Sequence, residues 1–324
     1  MKFKPDSFVV AILIVILLAW FFPQWGLPQS GIPLDRIGSI GVSFIFFFYG
    51  LRLSPDKLRA GLKNWHLHVL VQLSTFLMFP LLVLVLYPFM QSSSHASIWL
   101  ALLFLAALPS TVSSSVVMVS VAKGNLPAAI FNASISGLIG IAITPLWMGL
   151  FMQQQTGHYD LSSIYSKLLL EILLPVVLGI LLQRFGGQLA IRYHRQLSLF
   201  DKSVILLIIY KSFAESFAGD LYAQVAWLDF ALIAVVVLAL FYVVYALIGI
   251  ISKRLHFSIE DQITAQFCGT KKSLVHGTVF SKILFAQAGT TGLMLLPLML
   301  FHAFQILVIS VYASRLAKRE ANTN

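Results

Sequence analysis

Charge of either sign is scarce in this chain. Of 324 residues only 12 are Asp or Glu and 22 are Lys or Arg, so 10% are charged, against about 25% in soluble domains. Hydrophobic residues reach 59%, and mean hydropathy is +0.89. That balance excludes both a water-soluble globular enzyme and a disordered chain. Cysteine is all but missing: Cys268 stands alone, so there is no internal disulfide framework. No G-x-S-x-G or H-E-x-x-H run and no metal-ligand cluster occurs; an intramembrane enzyme is set aside, and no cofactor is expected from these residues. The formal net charge of +10 does not point to nucleic acid, because the basic residues are dispersed between long apolar runs. What remains is an all-α, polytopic membrane protein with the lipid bilayer as its surroundings.

A bilayer core needs about 20 apolar residues per helix. Windows of that length centre near residues 15, 43, 76, 108, 138, 173, 208, 238, 273 and 301, which makes about ten spans. The first window follows a short basic start, as a secretory signal would. The bulky run Trp20-Phe21-Phe22-Pro23-Gln24-Trp25 stands where a small-residue cleavage site belongs, so the window is taken as a span. With the N-terminus inside, 16 of the 22 Lys and Arg fall on the inner side, among them Lys2, Lys4, Lys57, Arg59, Lys63 and Arg319. Only Arg36 and Lys167 fall outside, while Lys211, Lys271, Lys272 and Lys282 lie within spans. The positive-inside bias thus predicts ten helices with both termini cytoplasmic, in the plasma (inner) membrane.

Ten spans divide into two halves of five, and an odd-numbered half inserts in the opposite sense from its twin, which is the arrangement of an inverted repeat. Repeat one covers about residues 1–152 and repeat two about 160–315, together a single membrane domain over 1–319, with 320–324 a short cytoplasmic tail. The longest loops, about 53–64 and 184–201, are short and basic and are expected against anionic lipid.

The fourth member of each half carries a similar fault. Span four runs to Leu108 and then reads Pro109-Ser110-Thr111-Val112-Ser113-Ser114-Ser115; span nine runs to Cys268 and then reads Gly269-Thr270-Lys271-Lys272-Ser273. Proline removes a donor and clashes with the preceding turn, and glycine lowers the cost of non-helical backbone. Freed main-chain groups cannot face lipid, so they must line an enclosed or wet interior. Paired interruptions at matching places are the best pointer to a transporter's binding site. Taken singly, Pro109 and the serines also fit ordinary helix packing.

Lys271 and Lys272 lie about 11 residues into their span, roughly 16 Å deep at 1.5 Å per residue. A charge there costs about 2.5–3.5 kcal/mol on insertion scales. The alternative for either lysine is neutralisation by a carboxylate or by carbonyls at a helix C-terminus. Acidic candidates are few: Glu171 in span six and Glu215 in span seven, the latter four residues after Lys211, while Asp160, Asp220 and Asp229 belong to outer ends or loops. The intramembrane balance leans cationic and favours an anionic solute. Asn132, Ser134, Ser136 and Thr144 stripe span five and are expected to face the broken fourth span, as hydrogen-bonded packing or as ligands. His68, Gln72 and Thr75 mark span three, His276 follows the ninth break, and His302 with Gln305 marks span ten.

The segment Leu108-Pro109-Ser110-Thr111 through Lys123-Gly124-Asn125, with Phe267-Cys268-Gly269-Thr270-Lys271-Lys272-Ser273-Leu274, resembles the bile acid:sodium symporter superfamily, and the Gly-Thr-Lys-Lys-Ser-Leu run resembles its solute carrier family ten member seven branch. The resemblance covers residues 1–319. It implies a core domain and a panel domain, crossing unwound helices four and nine, and transport of organic anions such as bile acids or carboxylates coupled to sodium. It also implies where sodium ligands would stand: Phe267 at a family acid, Lys271 at a family glutamine, Thr75 at another glutamine, Ser114 or Ser115 at a ligand serine, and Ala129 and Ala133 near hydroxyl ligands. Losing a carboxylate and gaining an ammonium shifts the local charge by about two units, worth several kcal/mol at 4–6 Å. These substitutions oppose sodium binding of the family kind and leave a fixed or titrating ammonium, with proton coupling, in its place.

The expectation is therefore a secondary transporter of a small organic anion working by alternating access. Its site comprises Ser113, Ser114, Ser115, Asn132, Ser134, Thr270, Lys271, Lys272, Ser273 and Thr75, with Glu171 and Glu215 as charge partners. The alternative is a membrane regulator or assembly subunit that keeps the fold and moves nothing.

Overall fold

The computed structural model describes residues 7–53, 64–90, 93–111, 113–156, 161–219, 227–285 and 291–318. The basic residues Lys2, Lys4, Lys57, Arg59, Lys63 and Arg319, the acids Asp160 and Asp220, and the tail 320–324 lie outside these. Among the described residues the chain is helical and has no strand. In chain order the helices are α1 (Ser7–Phe21), α2 (Leu34–Arg52), α3 (Trp65–Leu73), α4 (Phe79–Leu84), α5 (Ser93–Ala107), α6 (Ser113–Val121), α7 (Leu126–Thr156), α8 (Leu161–Leu168), α9 (Leu174–Leu181), α10 (Gln183–Arg192), α11 (His194–Ala218), α12 (Trp227–Arg254), α13 (Ile259–Gly269), α14 (Leu274–Leu284) and α15 (Thr291–Leu316).

Among the described residues six stretches are long and apolar enough to cross a bilayer: Leu34–Arg52, Trp65–Phe89, Leu126–Met152, Ser162–Leu181, Trp227–Arg254 and Thr291–Leu316. Large apolar side chains stay exposed on them and on their neighbours, including Leu17, Trp20, Phe21, Leu150, Leu181 and Val235. On a soluble protein such surface would be a binding or aggregation patch; on helices of this length it is a face for lipid. The window near residue 208 corresponds to α11, whose Asp201, Lys202, Lys211 and Glu215 keep it from that set of six. The stretch 184–201, expected as a loop, is helical instead: α10 and the start of α11 fill it. Phe185 and Leu189 are exposed on α10 beside Arg184 and Arg192, the make-up of a helix lying in a membrane interface.

The chain divides into two compact units, each drawn from both halves of the sequence. Unit one is Met1–Ser54, Asp160–Ala226 and Thr278–Leu295. Within it α2 and α9 approach at Gly50 and Gly179, where a Cβ on either would collide with the other helix's backbone (Val176 O and Phe47 O respectively). Arg52 closes α2 by donating to the Phe48 carbonyl and pairing with Asp201 at 3.0 Å. Unit two is Pro55–Tyr159, Trp227–Gly277 and Leu296–Asn324.

Two spans contain a π turn just ahead of a proline: Ser74–Met78 before Pro80, and Leu169–Leu173 before Pro175. Proline cannot donate to the carbonyl four residues back and crowds it, and a widened turn relieves the clash. In unit two the consequence is explicit. The Phe79 N–H donates to Ser74 O rather than to Thr75 O, and Pro80 has no N–H to offer Phe76 O. Two main-chain carbonyls, Thr75 and Phe76, are thereby freed inside the helix. Trp147 Nε1 donates to the second at 2.8 Å; the first is taken up at the site below.

Candidate solute site at two interrupted helices

Both interruptions lie in unit two. Helix α5 stops at Ala107, the chain is non-helical over 108–111, and α6 resumes at Ser113. Helix α13 stops at Gly269, 270–273 is non-helical, and α14 begins at Leu274. The two gaps touch: Ser273 N–H donates to Pro109 O at 2.9 Å, and Ser110 Oγ donates to Cys268 O at 2.6 Å.

A helix end leaves its last four carbonyls without intrahelical partners, and inside a membrane each unmet group is costly. Here the partners can be followed along the chain. Leu105 O takes the Leu108 N–H, Ala107 O takes Thr144 Oγ1 at 2.8 Å, and Ala106 O and Leu108 O both take Lys272 Nζ, at 2.6 and 2.9 Å. Ser110 N–H donates to Ser136 Oγ at 2.9 Å. On the other gap, Lys272 N–H donates to Gln305 Oε1 at 2.8 Å while Gln305 Nε2 donates to Lys272 O at 2.9 Å. Ser273 caps α14, its Oγ accepting from the His276 N–H at 3.3 Å. Gly140 brings α7 against the break: a Cβ there would stand 2.9–3.1 Å from the Pro109 ring.

The two lysines are both 0% exposed, yet they do different things. Lys272 reaches the freed Thr75 carbonyl at 2.7 Å in addition to Ala106 O and Leu108 O, and its ammonium lies 4.2 Å from the centre of the Phe79 ring. Three donors meet three carbonyls, with an aromatic face as the fourth neighbour. A cation at the C-terminal end of α5 is also favoured by the helix dipole. Lys271 donates to Ser114 O at 2.8 Å and lies 3.4 Å from Ser114 Oγ. It has no carboxylate within ion-pair distance among the described residues, and it stands at the start of α6, where the dipole opposes a cation. Next to Ser114 in the chain, Ser115 is buried, and its hydroxyl has no partner among the described residues.

The other residues singled out in the sequence fall into three groups. Thr270 and Ser273 are buried in the gap, Thr270 Oγ1 donating to Gln266 O at 2.6 Å. Ser136 and Thr144 bond the broken segment as expected of the span-five stripe, whereas Asn132 turns to span three instead: its Nδ2 lies 2.9 Å from His68 Nδ1, and Gln72 Nε2 donates to its Oδ1 at 3.2 Å. An amide with two polar neighbours on α3 is drawn there rather than to the break. Ser134 is buried. Thr75 contributes its carbonyl, since its hydroxyl bonds back to Val71 O. Ser113 opens α6, with its side chain outside the described set. Of the expected charge partners, Glu215 accepts from Lys211 at 2.6 Å and Glu171 lines a cavity of unit one; the gap lysines instead use uncharged oxygens.

Two structural roles went unread in the sequence. Gln305 was visible only as a polar residue in span ten, and nothing in its spacing announces that it mimics a backbone for Lys272. Asp261 joins three elements: Oδ1 accepts from Asn125 Nδ2 at 2.7 Å, Oδ2 accepts from Asn64 Nδ2, and its own N–H donates to Ser258 Oγ at 3.2 Å. The "Lys-Gly-Asn" turn is thus tied to the start of α13.

A family profile described as the SBF-like CPA transporter family matches residues 6–318. An uncharacterized protein of Pseudomonas aeruginosa is 38% identical over 318 residues, covering 98% of this chain and 95% of its own length. YfeH of Escherichia coli is 34% identical over 310 residues (96% and 92%), and a protein of Xenopus tropicalis named sodium/bile acid cotransporter 7 is 32% identical over 319 (96% and 91%). The chain belongs to the SBF-like CPA transporter family, within the bile acid:sodium symporter superfamily.

Proposed function

We propose that this chain is a secondary transporter that moves a small organic anion of the carboxylate or bile-acid type by alternating access. The proposal includes about ten transmembrane helices in two inverted five-helix repeats, with both termini on the cytoplasmic side of the plasma membrane. The anion meets Lys271 and the hydroxyls of Ser113, Ser114 and Ser115 at the positive end of α6, with Thr270 and Ser273 flanking it. Asn132, Ser134 and Thr75 hold the adjoining helices in place around that point.

The observation that carries this reading is the contrast between the lysines. Lys272 spends its three donors on three carbonyls. Lys271 is fully buried with one donor in reserve, and the next residue after its acceptor Ser114, Ser115, buries a hydroxyl with no partner among the described residues. A buried ammonium and a helix N-terminus converge there without a counter-charge, which suits an anion. The name of the Xenopus relative supports the solute class.

Lys272 is proposed to stand in for a coupling cation, bound by the kind of oxygen cage that holds a metal ion but tethered to the chain. Uptake is then independent of sodium, and a proton is the coupling ion. Flux in proteoliposomes tests this. Uptake of organic anions is expected to persist when choline replaces sodium, and to be abolished by Lys271→Gln in protein that unfolds at the wild-type temperature. Sodium-driven uptake that survives collapse of the pH gradient, or uptake indifferent to Lys271→Gln, overturns it. Absence of flux for every anion favours a membrane regulator that keeps the fold.

A further inference from the structure

Unit one contains a cavity of about 420 Å³, within the size range of small-molecule sites. Its lining includes three carboxylates, Asp35, Glu171 and Glu215, and three lysines, Lys167, Lys211 and Lys282. Four of these six, Glu171, Lys211, Glu215 and Lys282, fall within spans by the sequence, and ionisable side chains there are expensive and mark a functional site by default.

The charges are not evenly paired. Lys211 is satisfied twice, donating to Glu215 at 2.6 Å and to the Asp35 carboxylate at 3.0 Å. Among the described residues the hydrogen-bond partners of Lys282 are neutral oxygens, the Asp35 carbonyl at 3.1 Å and the Ser39 hydroxyl. No carboxylate stands within ion-pair distance of it among the described residues, although those of Glu171 and Asp35 lie near enough to act on it, and one of its three donors has no acceptor among those residues. Glu171 presents the converse. It sits on the π turn Leu169–Leu173, and its Oε2 is buried with no donor among the described residues. π turns inside helices are frequent at functional sites. Among the described residues the cavity therefore offers an ammonium with no carboxylate in direct contact and a carboxylate oxygen with no donor.

From this we infer that the unit-one cavity is a solute site for a small carboxylate that carries its own hydrogen-bond donor, a hydroxy acid or an amino acid. The solute's carboxylate takes the free donor of Lys282, with Lys167 adding positive charge at the rim. Its hydroxyl or ammonium donates to Glu171 Oε2. Lys211, held by Asp35 and Glu215, fixes the wall between them. This site is separate from Lys271 and does not depend on the transport reading; it is read by binding alone.

Titration calorimetry of the detergent-solubilised full chain with lactate, alanine and propionate, three-carbon carboxylates with a hydroxyl, an ammonium and neither, tests it. Lactate or alanine is expected to bind saturably and about tenfold or more tighter than propionate, the worth of one hydrogen bond to a charged group. Whichever of the two binds tighter identifies the donor. Lys282→Gln should abolish binding, and Glu171→Leu, which removes the acceptor, should erase the preference over propionate while retaining the carboxylate contact. Should Lys282→Gln not fold, Lys167→Gln, at an exposed residue, serves instead and should weaken binding several-fold. No saturable binding of lactate or alanine, propionate binding equally well to the wild type, or wild-type affinities in the variants would each overturn the proposal. Flux lost through Lys271→Gln leaves it untouched, and its failure leaves the Lys271 reading untouched.

Discussion

Gln305 answers both main-chain groups of Lys272, accepting from its N–H at 2.8 Å and donating to its carbonyl at 2.9 Å. A side-chain amide here takes the place of the helix that span nine has given up. Gln305→Leu strands two buried groups at about 1–3 kcal/mol each, so a loss of roughly 2–6 kcal/mol is expected. Gln305→Glu keeps the acceptor and loses the donor, and should fall between the two. Thermal unfolding in detergent measures both; an unchanged transition for Gln305→Leu would mean that the gap does not depend on this pair.

Lys272 should matter more to stability than Lys271. Removing its ammonium with Lys272→Ala leaves the carbonyls of Thr75, Ala106 and Leu108 facing a cavity without donors, at a cost of about 3–6 kcal/mol. Those three oxygens already converge on a cation at 2.6–2.9 Å. Sodium, a hard ion that favours oxygen ligands, should refill the vacated cage. Sodium chloride is expected to raise the unfolding temperature of Lys272→Ala by several degrees over choline chloride, with no such difference in the wild type. Equal behaviour of the two proteins would show that the ammonium is not standing in for a metal ion.

Much of this was legible from residue order. Hydropathy placed helices where they occur, and Pro109 and Gly269 marked the gaps because their chemistry forbids or weakens a regular turn. The wider context of Lys271 and Lys272 showed only that two buried charges needed partners. Which lysine would be satisfied depended on carbonyls released by a π turn around Thr75, and main-chain oxygens leave no signature in a sequence. Asn132 misled for a related reason: its stripe on α7 fixes a face, yet the choice between Pro109's segment and His68 is made by packing. The stretch 184–201 looked like a loop because it is basic, although a helix lying at a membrane surface needs that composition as well.

Gly140 sets how closely α7 approaches the fourth-span gap. Its missing Cβ leaves room for the Pro109 ring, which would stand 2.9–3.1 Å away, and the same helix supplies Ser136 and Thr144 to the broken segment. Gly140→Leu should push the two apart and cost about 1–3 kcal/mol by overpacking. Because both hydrogen bonds are displaced with it, accessibility of Cys268 to a maleimide should rise in this variant. A buried thiol as inert as in the wild type would place the strain elsewhere.

Asp261 offers the cleanest separation of packing from function. It lies at the first turn of α13, where a carboxylate also favours the helix dipole, and its two oxygens divide between Asn125 and Asn64. Asp261→Ala removes both bonds and exposes the N-terminal ends of α3, α7 and α13 to fraying, for an expected loss of about 2–4 kcal/mol. Asn125 takes part through more than its side chain: its N–H donates to Thr264 Oγ1 at 2.8 Å and its Oδ1 caps α7 at the Ala128 N–H. Asn125→Ala should therefore be damaging in its own right, and the double variant should cost less than the sum, because the shared Asp261–Asn125 bond can be lost only once. A coupling of about 1 kcal/mol or more in that cycle is expected. Strict additivity would mean the bond contributes nothing, and that the turn before α7 is held by Thr264 and the Glu260 carbonyl instead.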